Sequence, residues 1–232
     1  MPVHVLAAGS ARGLLAAVAP ALGEATGAAL QVATAGPATL RRRLSRGTAA
    51  DLVILPLGIV EALAREGRVD PGSITLVGVA ELGLAVRIGD PAPDVSHEDA
   101  IADALVDAEE IHLADPEEAG AGRTVRALLD ALEIGEDVAA SLRHRSDGIA
   151  AMEALALAEA GLAVGCAEIP EILAVCEVCL VGPLPQDLAP ATPYAAAVPT
   201  IAVEAAAARA AIALLTSRAA AEARARCGLG RP

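Results

Sequence analysis

Aromatic residues are nearly absent from this sequence. Phenylalanine and tryptophan do not occur, and Tyr194 is the one tyrosine among 232 residues. Lysine is also missing, so arginine supplies all 17 basic residues against 30 acidic ones, for a formal charge of -13 at neutral pH. Nucleic-acid binding is disfavoured, because it depends on cations that neutralise phosphates and on rings that stack on bases.

The hydrophobic share is 55%, which excludes a disordered chain and requires a core of aliphatic side chains. A chain of this length forms one large domain or two small ones. No long apolar run is present, because residues 155 to 181, the longest nearly uncharged stretch, are interrupted by four glutamates and a proline. A membrane-spanning helix needs about 20 continuous apolar residues, so none is expected.

The N-terminus has neither the basic region nor the cleavage site of a signal peptide, since a strand-like run begins at Val3. We therefore expect a cytoplasmic protein if Met1 is the natural start. A periplasmic protein is expected if a leader has been removed.

Cysteine is scarce, with four residues at Cys166, Cys176, Cys179 and Cys227. The gap between Cys176 and Cys179 has the spacing of half a zinc site or of a redox pair. A structural zinc site needs a second pair of ligands, and no histidine lies close by in the sequence. We predict free thiols that are buried or half-buried, and we expect neither a metal nor a cofactor.

Short apolar runs alternate with longer helical segments, which is typical of an α/β protein with largely parallel sheets. Predicted strands cover residues 3–7, 28–33, 52–55, 82–88, 111–114, 162–166, 178–181 and 194–198. Predicted helices cover residues 11–25, 39–46, 56–65, 124–132 and 203–226, and two more end at residues 106 and 159. Ser96, followed by Asp99, is predicted to cap the first of these two, and Ser146 or Asp147 the second. A turn-rich link at residues 89–93 indicates two α/β lobes.

Several motifs, each weak alone, occur in a characteristic order. They are Leu-Ala-Ala-Gly-Ser at residues 6–10, Gly-Glu-Ala-Thr-Gly at 23–27, Gly-Thr-Ala-Ala-Asp-Leu-Val-Ile at 47–54, Ala-Val-Arg at 85–87 with Pro-Asp-Val-Ser at 93–96, Ala-Asp-Pro at 114–116 with Gly-Ala-Gly at 120–122, and Val-Gly-Pro-Leu-Pro at 181–185. In this order the chain resembles the type 2 periplasmic solute-binding proteins, closest to the molybdate-binding proteins of ABC importers, over nearly its whole length.

The resemblance implies an α/β, two-lobed periplasmic-binding-protein type 2 fold with a central cleft between two mixed sheets. It implies a first lobe of residues 1–80 plus 193–232, a second lobe of residues 81–192, and hinges near Gly83 and Tyr194. It also implies that the protein captures a small ligand in the cleft, an oxyanion such as molybdate or tungstate, for the permease of an ABC importer. We expect a monomer with no nucleic-acid partner.

Ligand contacts are expected at strand-to-helix turns, because helix N-termini present free N–H groups to an anion there. The resemblance places the Ser10 hydroxyl on the ligand, and an N-cap for the helix at Ala11 is the alternative role. The second turn departs from the Ser-Ser-Gly typical of molybdate binders, so only its threonines can supply a hydroxyl. The candidates in this lobe are Gly9, Ser10, Thr34, Gly36 and Thr39.

In the second lobe, the turn at residues 115–124 leads into a helix, and its glycines let backbone N–H groups approach a ligand closely. A plain helix-start loop is the alternative for this turn, and a surface role is the alternative for Arg123. Residues 165–168 lie where the family often brings a residue over the ligand, although Glu168 is predicted to be a solvated helix-start carboxylate. The candidates in this lobe are Gly122, Arg123, Thr124, Gly148, Ile149 and Cys166.

No catalytic constellation is present in the sequence. His4, His97, His112 and His144 are scattered without a metal-ligand pair, and each is predicted to be a surface or structural residue. Nucleophile-elbow, phosphate-loop and dinucleotide-binding motifs do not occur in register. We therefore predict a solute-binding protein that is not an enzyme. A cytoplasmic ligand-sensing protein or an organic-solute-binding protein of the same fold is the alternative.

Overall fold

The computed structural model describes residues 1–231, and the chain divides into two compact units. Unit 1 comprises Met1–Ala80 together with the chain from Thr192 onward, and unit 2 comprises Glu81–Ala191. Each unit contains one sheet with helices packed on it. The two-sheet α/β architecture expected from the sequence is confirmed. No helix within residues 1–231 is long and apolar enough to cross a membrane.

The elements are numbered in chain order. The strands are β1 Val3–Ala7, β2 Leu30–Thr34, β3 Leu52–Pro56, β4 Thr75–Ala80, β5 Leu82–Arg87, β6 Glu110–Ala114, β7 Leu142–Arg145, β8 Ala163–Glu168, β9 Val178–Pro183, β10 Thr192–Ala197 and β11 Leu229–Gly230. The helices are α1 Arg12–Thr26, α2 Pro37–Ser45, α3 Leu57–Arg65, α4 Glu98–Val106, α5 Gly120–Ala131, α6 Gly148–Ala156, α7 Ile169–Ile172, α8 Ala205–Thr216 and α9 Ala221–Arg226. A short 3-10 turn, Gly9–Ala11, precedes α1.

The sheet of unit 1 has the strand order β11-β4-β10-β3-β1-β2. β1 runs parallel to β2 and β3, whereas β10 is antiparallel to β3 and β4. The apolar run of β3 is buried throughout Leu52, Val53, Ile54 and Leu55, as expected for a strand that is covered on both faces. Tyr194 lies in the same aliphatic core with 3% of its surface exposed.

Asp51 ties distant segments of unit 1 together. It precedes β3 and is buried, with 3% of its surface exposed. Its carboxylate accepts hydrogen bonds from the backbone N–H groups of His4 (2.9 Å), Val203 (2.8 Å) and Glu204 (2.9 Å). Burial raises the pKa of Asp51, but these hydrogen bonds outweigh burial and hold the pKa below its ordinary value. Asp51 thereby supplies acceptors at the start of α8, which has no side-chain cap of its own.

The sheet of unit 2 has the strand order β7-β6-β8-β5-β9. β6 is parallel to β7 and β8, whereas β5 is antiparallel to β8 and β9. One face packs Leu84, Leu113 and Cys166 in a cluster with the apolar side of α5. The opposite face packs against α6, which lies close because Gly165 has no side chain; a Cβ there would overlap Met152.

Both sheets are mixed, as the family resemblance implied, and are not largely parallel, as the alternation of strands and helices indicated. Three strands were also missed, namely β4, β7 and the two-residue β11. β7 consists of Leu-Arg-His-Arg at the sheet edge, so it lacks the apolar pattern that identifies a strand. β4 follows an Asp-Pro-Gly turn and pairs with β10 from the far end of the chain, a contact that local patterning does not reveal.

Several helix boundaries differ from prediction. α5 begins at Gly120 rather than at residue 124. The N-cap of α4 is His97, whose Nδ1 accepts the N–H of Ala100 at 3.2 Å, rather than Ser96. The predicted C-terminal helix is divided into α8 and α9, because Ser217 adopts an extended backbone that ends α8.

Candidate functional site

The candidate turns of unit 1 lie at one edge of its sheet. β1 and β2 are parallel, with Ala7 opposite Thr34, so the turns that follow them leave the sheet at the same edge. Both turns run directly into helices, α1 and α2, whose first N–H groups carry partial positive charge. The structure therefore brings to this edge the predicted residues Gly9, Ser10, Thr34, Gly36 and Thr39.

Ser10 lies inside the 3-10 turn and is buried, with 1% of its surface exposed. The N-cap residue of α1 is Ala11, whose side chain has no polar atom that could cap the helix, and not Ser10. The turn instead closes through the backbone, where the Arg12 N–H donates to the Gly9 carbonyl. A ligand contact stays a prediction for the Ser10 hydroxyl.

The turn after β2 starts α2 earlier than predicted. Gly36 is the N-cap residue and Pro37 is the first helical residue, a position that suits the fixed φ and missing N–H of proline. Thr39 therefore lies within the first turn of α2, where its Oγ1 accepts a hydrogen bond from Arg42 Nη2 at 2.7 Å. Thr34 is the last residue of β2, and Gly36 lies in the turn between β2 and α2.

Three parallel strands of unit 2 end at one edge of its sheet. Ala114 of β6 lies opposite Arg145 of β7, and Leu113 lies opposite Cys166 of β8. The turns that follow these strands start α5, α6 and α7. Candidate residues on separate parts of the chain are thereby gathered at this edge.

The first turn of α5 packs very closely against the end of β6. α5 begins at Gly120 after the N-cap residue Ala119, which makes no side-chain cap. Gly122 is required by packing, since a Cβ there would overlap the Ala114 carbonyl oxygen and lie 2.8 Å from the Pro116 nitrogen. Glycine thus allows the start of α5 to contact the end of β6, which gives Gly122 a structural role beside its predicted one.

Arg123 lies within α5 and not in the turn, whereas Thr124 lies in a helix as the predicted helix over residues 124–132 implied. Arg123 Nη1 donates to the Pro116 carbonyl at 2.8 Å, and Thr124 Oγ1 donates to the Gly120 carbonyl at 3.2 Å. The N–H groups at the start of α5 belong to Gly120 and Ala121, two candidates that sequence reasoning missed. The Gly-Ala-Gly sequence at residues 120–122 was the signal that could have identified them.

The start of α6 is capped by the side chain of Asp147 and contacts the buried carboxyl group of Glu171. Asp147 Oδ1 accepts the N–H of Ala150 at 2.9 Å. The N–H of Gly148 donates to the carboxyl group of Glu171, and a Cβ at Gly148 would overlap Glu171 Oε2. Gly148 is thus bonded within unit 2, and Ile149 is the next residue of this helix start.

Glu171 and Glu168 form the capping arrangement of α7. Glu168 is the N-cap residue, and Glu171, the third helical residue, accepts the N–H of Glu168. Both are buried, with 3% of Glu168 and 6% of Glu171 exposed, so the prediction that Glu168 is solvated is wrong. Burial, and then the charges of Glu168 and Asp147, raise the pKa of Glu171 well above its ordinary value.

The cysteines are free, as predicted, but two of them differ in exposure from the prediction. Cys176 and Cys179 are exposed, because the chain between α7 and β9 and the outer side of β9 lie at the surface. Cys166 is buried, and burial raises the pKa of its thiol to about 12. Its side chain lies in the apolar cluster beside α5, which removes the thiol from the edge where the turns gather.

One of the four histidines, His112, is buried against a carboxylate. His112 is buried, with Nε2 3.0 Å from Glu110 Oε2, and burial lowers its pKa. Arg143 Nε lies 3.3 Å from the other oxygen of Glu110. Within the described chain, no group of three or more histidine, cysteine, aspartate or glutamate side chains could hold a metal ion.

Comparison with known proteins identifies relatives over most of the chain. A family model described as bacterial extracellular solute-binding protein matches residues 3–229. Among curated proteins, an aconitate isomerase of a Pseudomonas species is 29% identical over 225 residues, which cover 94% of this chain and 84% of that protein.

Solved structures with a similar fold include two solute-binding proteins. The periplasmic molybdate-binding protein of Azotobacter vinelandii has a TM-score of 0.85 at 17% identity, with 99% of each chain covered. The sulfate-binding protein of Mycobacterium tuberculosis has a TM-score of 0.78 at 17% identity, with 99% of this chain and 86% of that chain covered. The fold expected from the sequence motifs is confirmed by these likenesses.

Proposed function

Because the chain belongs to the bacterial extracellular solute-binding protein family, we propose that it binds a small anionic solute reversibly and releases it chemically unchanged. The solute is an oxyanion such as molybdate or tungstate, and the receiving partner is the permease of an ABC importer. The ligand contacts are backbone N–H groups and hydroxyls of the candidate turns.

The observation that carries this proposal is a repeated strand-turn-helix arrangement. α1, α2, α5 and α6 each begin after the turn that follows a strand of a parallel pair, β1, β2, β6 and β7 respectively. Helix starts of this kind bind anions through their first N–H groups and the helix dipole, without a cation. The charge of -13 does not oppose this, because charges in physiological salt are screened over about 8 Å.

The names of two structural neighbours support an oxyanion as ligand, since one is a molybdate-binding and the other a sulfate-binding protein. A tetrahedral oxyanion offers only hydrogen-bond acceptors, so its site needs donors. Backbone N–H groups at residues 120–121 and 149 and the Ser10 hydroxyl are donors of the required kind.

Calorimetric titration with molybdate, tungstate, sulfate, phosphate and small carboxylates tests the proposal. We expect one of the inorganic anions to bind with one-to-one stoichiometry and a Kd well below about 1 mM, which corresponds to about 4 kcal/mol of binding free energy. Chloride at the same ionic strength is the control for nonspecific charge effects. Binding of carboxylates alone would favour an organic-solute-binding protein and contradict the oxyanion assignment.

A second candidate function is isomerisation of an unsaturated carboxylic acid. Two observations favour it: the relative at 29% identity is an aconitate isomerase, and the buried Glu168–Glu171 pair adjoins the start of α6. Isomerisation by a proton shift needs a group that takes a proton from one carbon and returns one to another while the double bond moves, with no oxidant or reductant. A carboxyl group with a raised pKa suits that task.

Incubation with cis-aconitate and, separately, with trans-aconitate distinguishes the two functions. Proton NMR of the mixture follows any conversion over time. Binding of the oxyanion without conversion of either isomer supports the first proposal. Conversion by the wild type that is lost in Glu171→Gln, and kept in a variant at the exposed Glu177, would establish the second instead.

A further inference from the structure

The start of α6 is shaped to hold a carboxyl group of the protein itself. Glu171 is enclosed where α7 packs against α6 and β8, and it accepts the N–H groups of Gly148 and Glu168. Any side chain at residue 148 would overlap Glu171 Oε2. The same helix start contains Ile149, one of the candidate ligand contacts, so Glu171 is a close neighbour of the proposed anion site.

The charged groups that face Glu171 are both acidic. Glu168 is buried beside it, and Asp147 is the N-cap residue of α6. A buried carboxylate with like charges around it holds its proton to higher pH than an exposed one. The raised pKa of Glu171 agrees with this arrangement.

The charged side chains on the other elements packed against α7 do not pair with Glu171. Glu153 of α6 is exposed to solvent. Arg87 of β5 is bonded to Asp90 at 2.6 Å and to the Ala158 carbonyl at 2.5 Å. The segment of β9, Val-Cys-Leu-Val-Gly-Pro, carries no charged side chain. None of these elements supplies a neutralising cation to Glu171.

We propose that Glu171 couples anion binding to a proton, so that an anion docks at the start of α6 only while the Glu171 carboxyl group is protonated. This inference rests on the proposed function. An anion that arrived beside an ionised Glu171 would place further negative charge in a buried location that already holds Glu168 and Asp147. Retention of the proton by Glu171 removes that repulsion.

The sign of the pH dependence follows from this coupling. Below the pKa that Glu171 has in the free protein, the site is protonated and the affinity for an anion is constant. As the pH rises through that pKa, the affinity falls by up to about tenfold per pH unit for one coupled proton. Glu171 thereby selects for anion binding at lower pH.

Calorimetric titration with sulfate and with molybdate from about pH 6 to about pH 9 measures this dependence. Glu171→Gln is neutral at every pH and keeps a hydrogen-bond acceptor, so we expect its affinity to be independent of pH. Glu168→Gln removes one negative charge beside Glu171, so we expect the fall in affinity to occur at lower pH than in the wild type. Because Glu171 stays buried in this variant, the fall should still occur above the usual pKa range of a glutamate. Glu177→Gln, an exposed glutamate of unit 2, is the control and should match the wild type.

A second measurement does not depend on ligand or on the folding of a variant. The amide signal of Gly148 in free wild-type protein should titrate with the carboxyl group that it contacts, and it should do so above the usual range of a glutamate. A titration only within that usual range would overturn the inference. So would a wild-type affinity independent of pH, or a Glu171→Gln variant that keeps the wild-type dependence. Failure of both anions to bind at any pH would overturn the proposed function as well.

Discussion

The carboxylate of Asp51 is expected to make a large contribution to the stability of unit 1. It is buried and accepts three backbone hydrogen bonds of 2.8 to 2.9 Å, from His4, Val203 and Glu204. Asp51→Asn keeps the size of the side chain but removes the charge. If its oxygen keeps the bonds to Val203 and Glu204, its NH₂ group is set against the N–H of His4, so two donors face each other.

The structure sets the size of the effect. A hydrogen bond to a charged group contributes about 1.5–3 kcal/mol, and an unsatisfied buried donor costs about 1–3 kcal/mol. Because asparagine can keep two of the three bonds in weaker form, we expect the free energy of unfolding to fall by about 2–4 kcal/mol. The pKa of Asp51 is lowered in the folded state, so its stabilisation is present above the pKa of the unfolded chain and is lost as the pH falls through the folded pKa.

Urea unfolding followed by the fluorescence of Tyr194 measures this effect, because the chain's one aromatic residue lies in the core of unit 1. The matched control is Glu61→Gln, an exposed position in α3 of the same unit, which should change stability by less than about 0.5 kcal/mol. A second run at a pH below the ordinary aspartate pKa of 3.8 should narrow the gap between wild type and Asp51→Asn. If the variant unfolds at the wild-type urea concentration, the hydrogen bonds of Asp51 do not stabilise the unit as argued.

Three further predictions concern glycine, cysteine and serine positions. Gly122→Ala should destabilise unit 2 by about 1–3 kcal/mol in urea unfolding followed by circular dichroism. The control Gly120→Ala should be tolerated, because its Cβ would have its nearest neighbour at 3.7 Å. Equal effects of the two substitutions would contradict the close approach of α5 and β6. Maleimide labelling of the native protein should modify Cys176 and Cys179 and spare Cys166 until unfolding. Mass spectrometry of native and denatured samples measures the labelling, and modification of Cys166 before the other two would contradict this prediction. Ser10→Ala should weaken anion binding by about 1–3 kcal/mol in calorimetry. An unchanged Kd would remove Ser10 from the site.

Most of the fold could be predicted from the sequence because its strands are continuous apolar runs. β1 and β3 were expected within a residue or two of their bounds, since Val3–Ala7 and Leu52–Pro56 are short, apolar and followed by turn or helix-start signals. β7 could not be predicted in the same way, because an edge strand with half-exposed arginines has no apolar side to detect.

The candidate site was harder to predict than the fold. Turns could be located from glycines, but the start of α5 depends on the contact of Gly122 with Ala114 across the turn. The bond between Glu171 and Gly148 joins residues that are far apart in sequence, and no local pattern indicates it. Glu168 was expected in solvent because carboxylates are mostly exposed, and only the packing of α6 and α7 accounts for its burial.

The most direct test of anion binding by the candidate turns is backbone-amide NMR of the wild-type protein during titration with molybdate, with chloride as the control. The amides of the candidate turns, Gly9, Ser10 and Gly36 in unit 1 and Ala121 and Ile149 in unit 2, are expected to shift and to saturate with molybdate. Amides of the exposed face of α3, far from the candidate turns in sequence, should not move. Saturable shifts confined to other surfaces, or no shifts at millimolar molybdate, would contradict the assignment of these helix starts as the anion site.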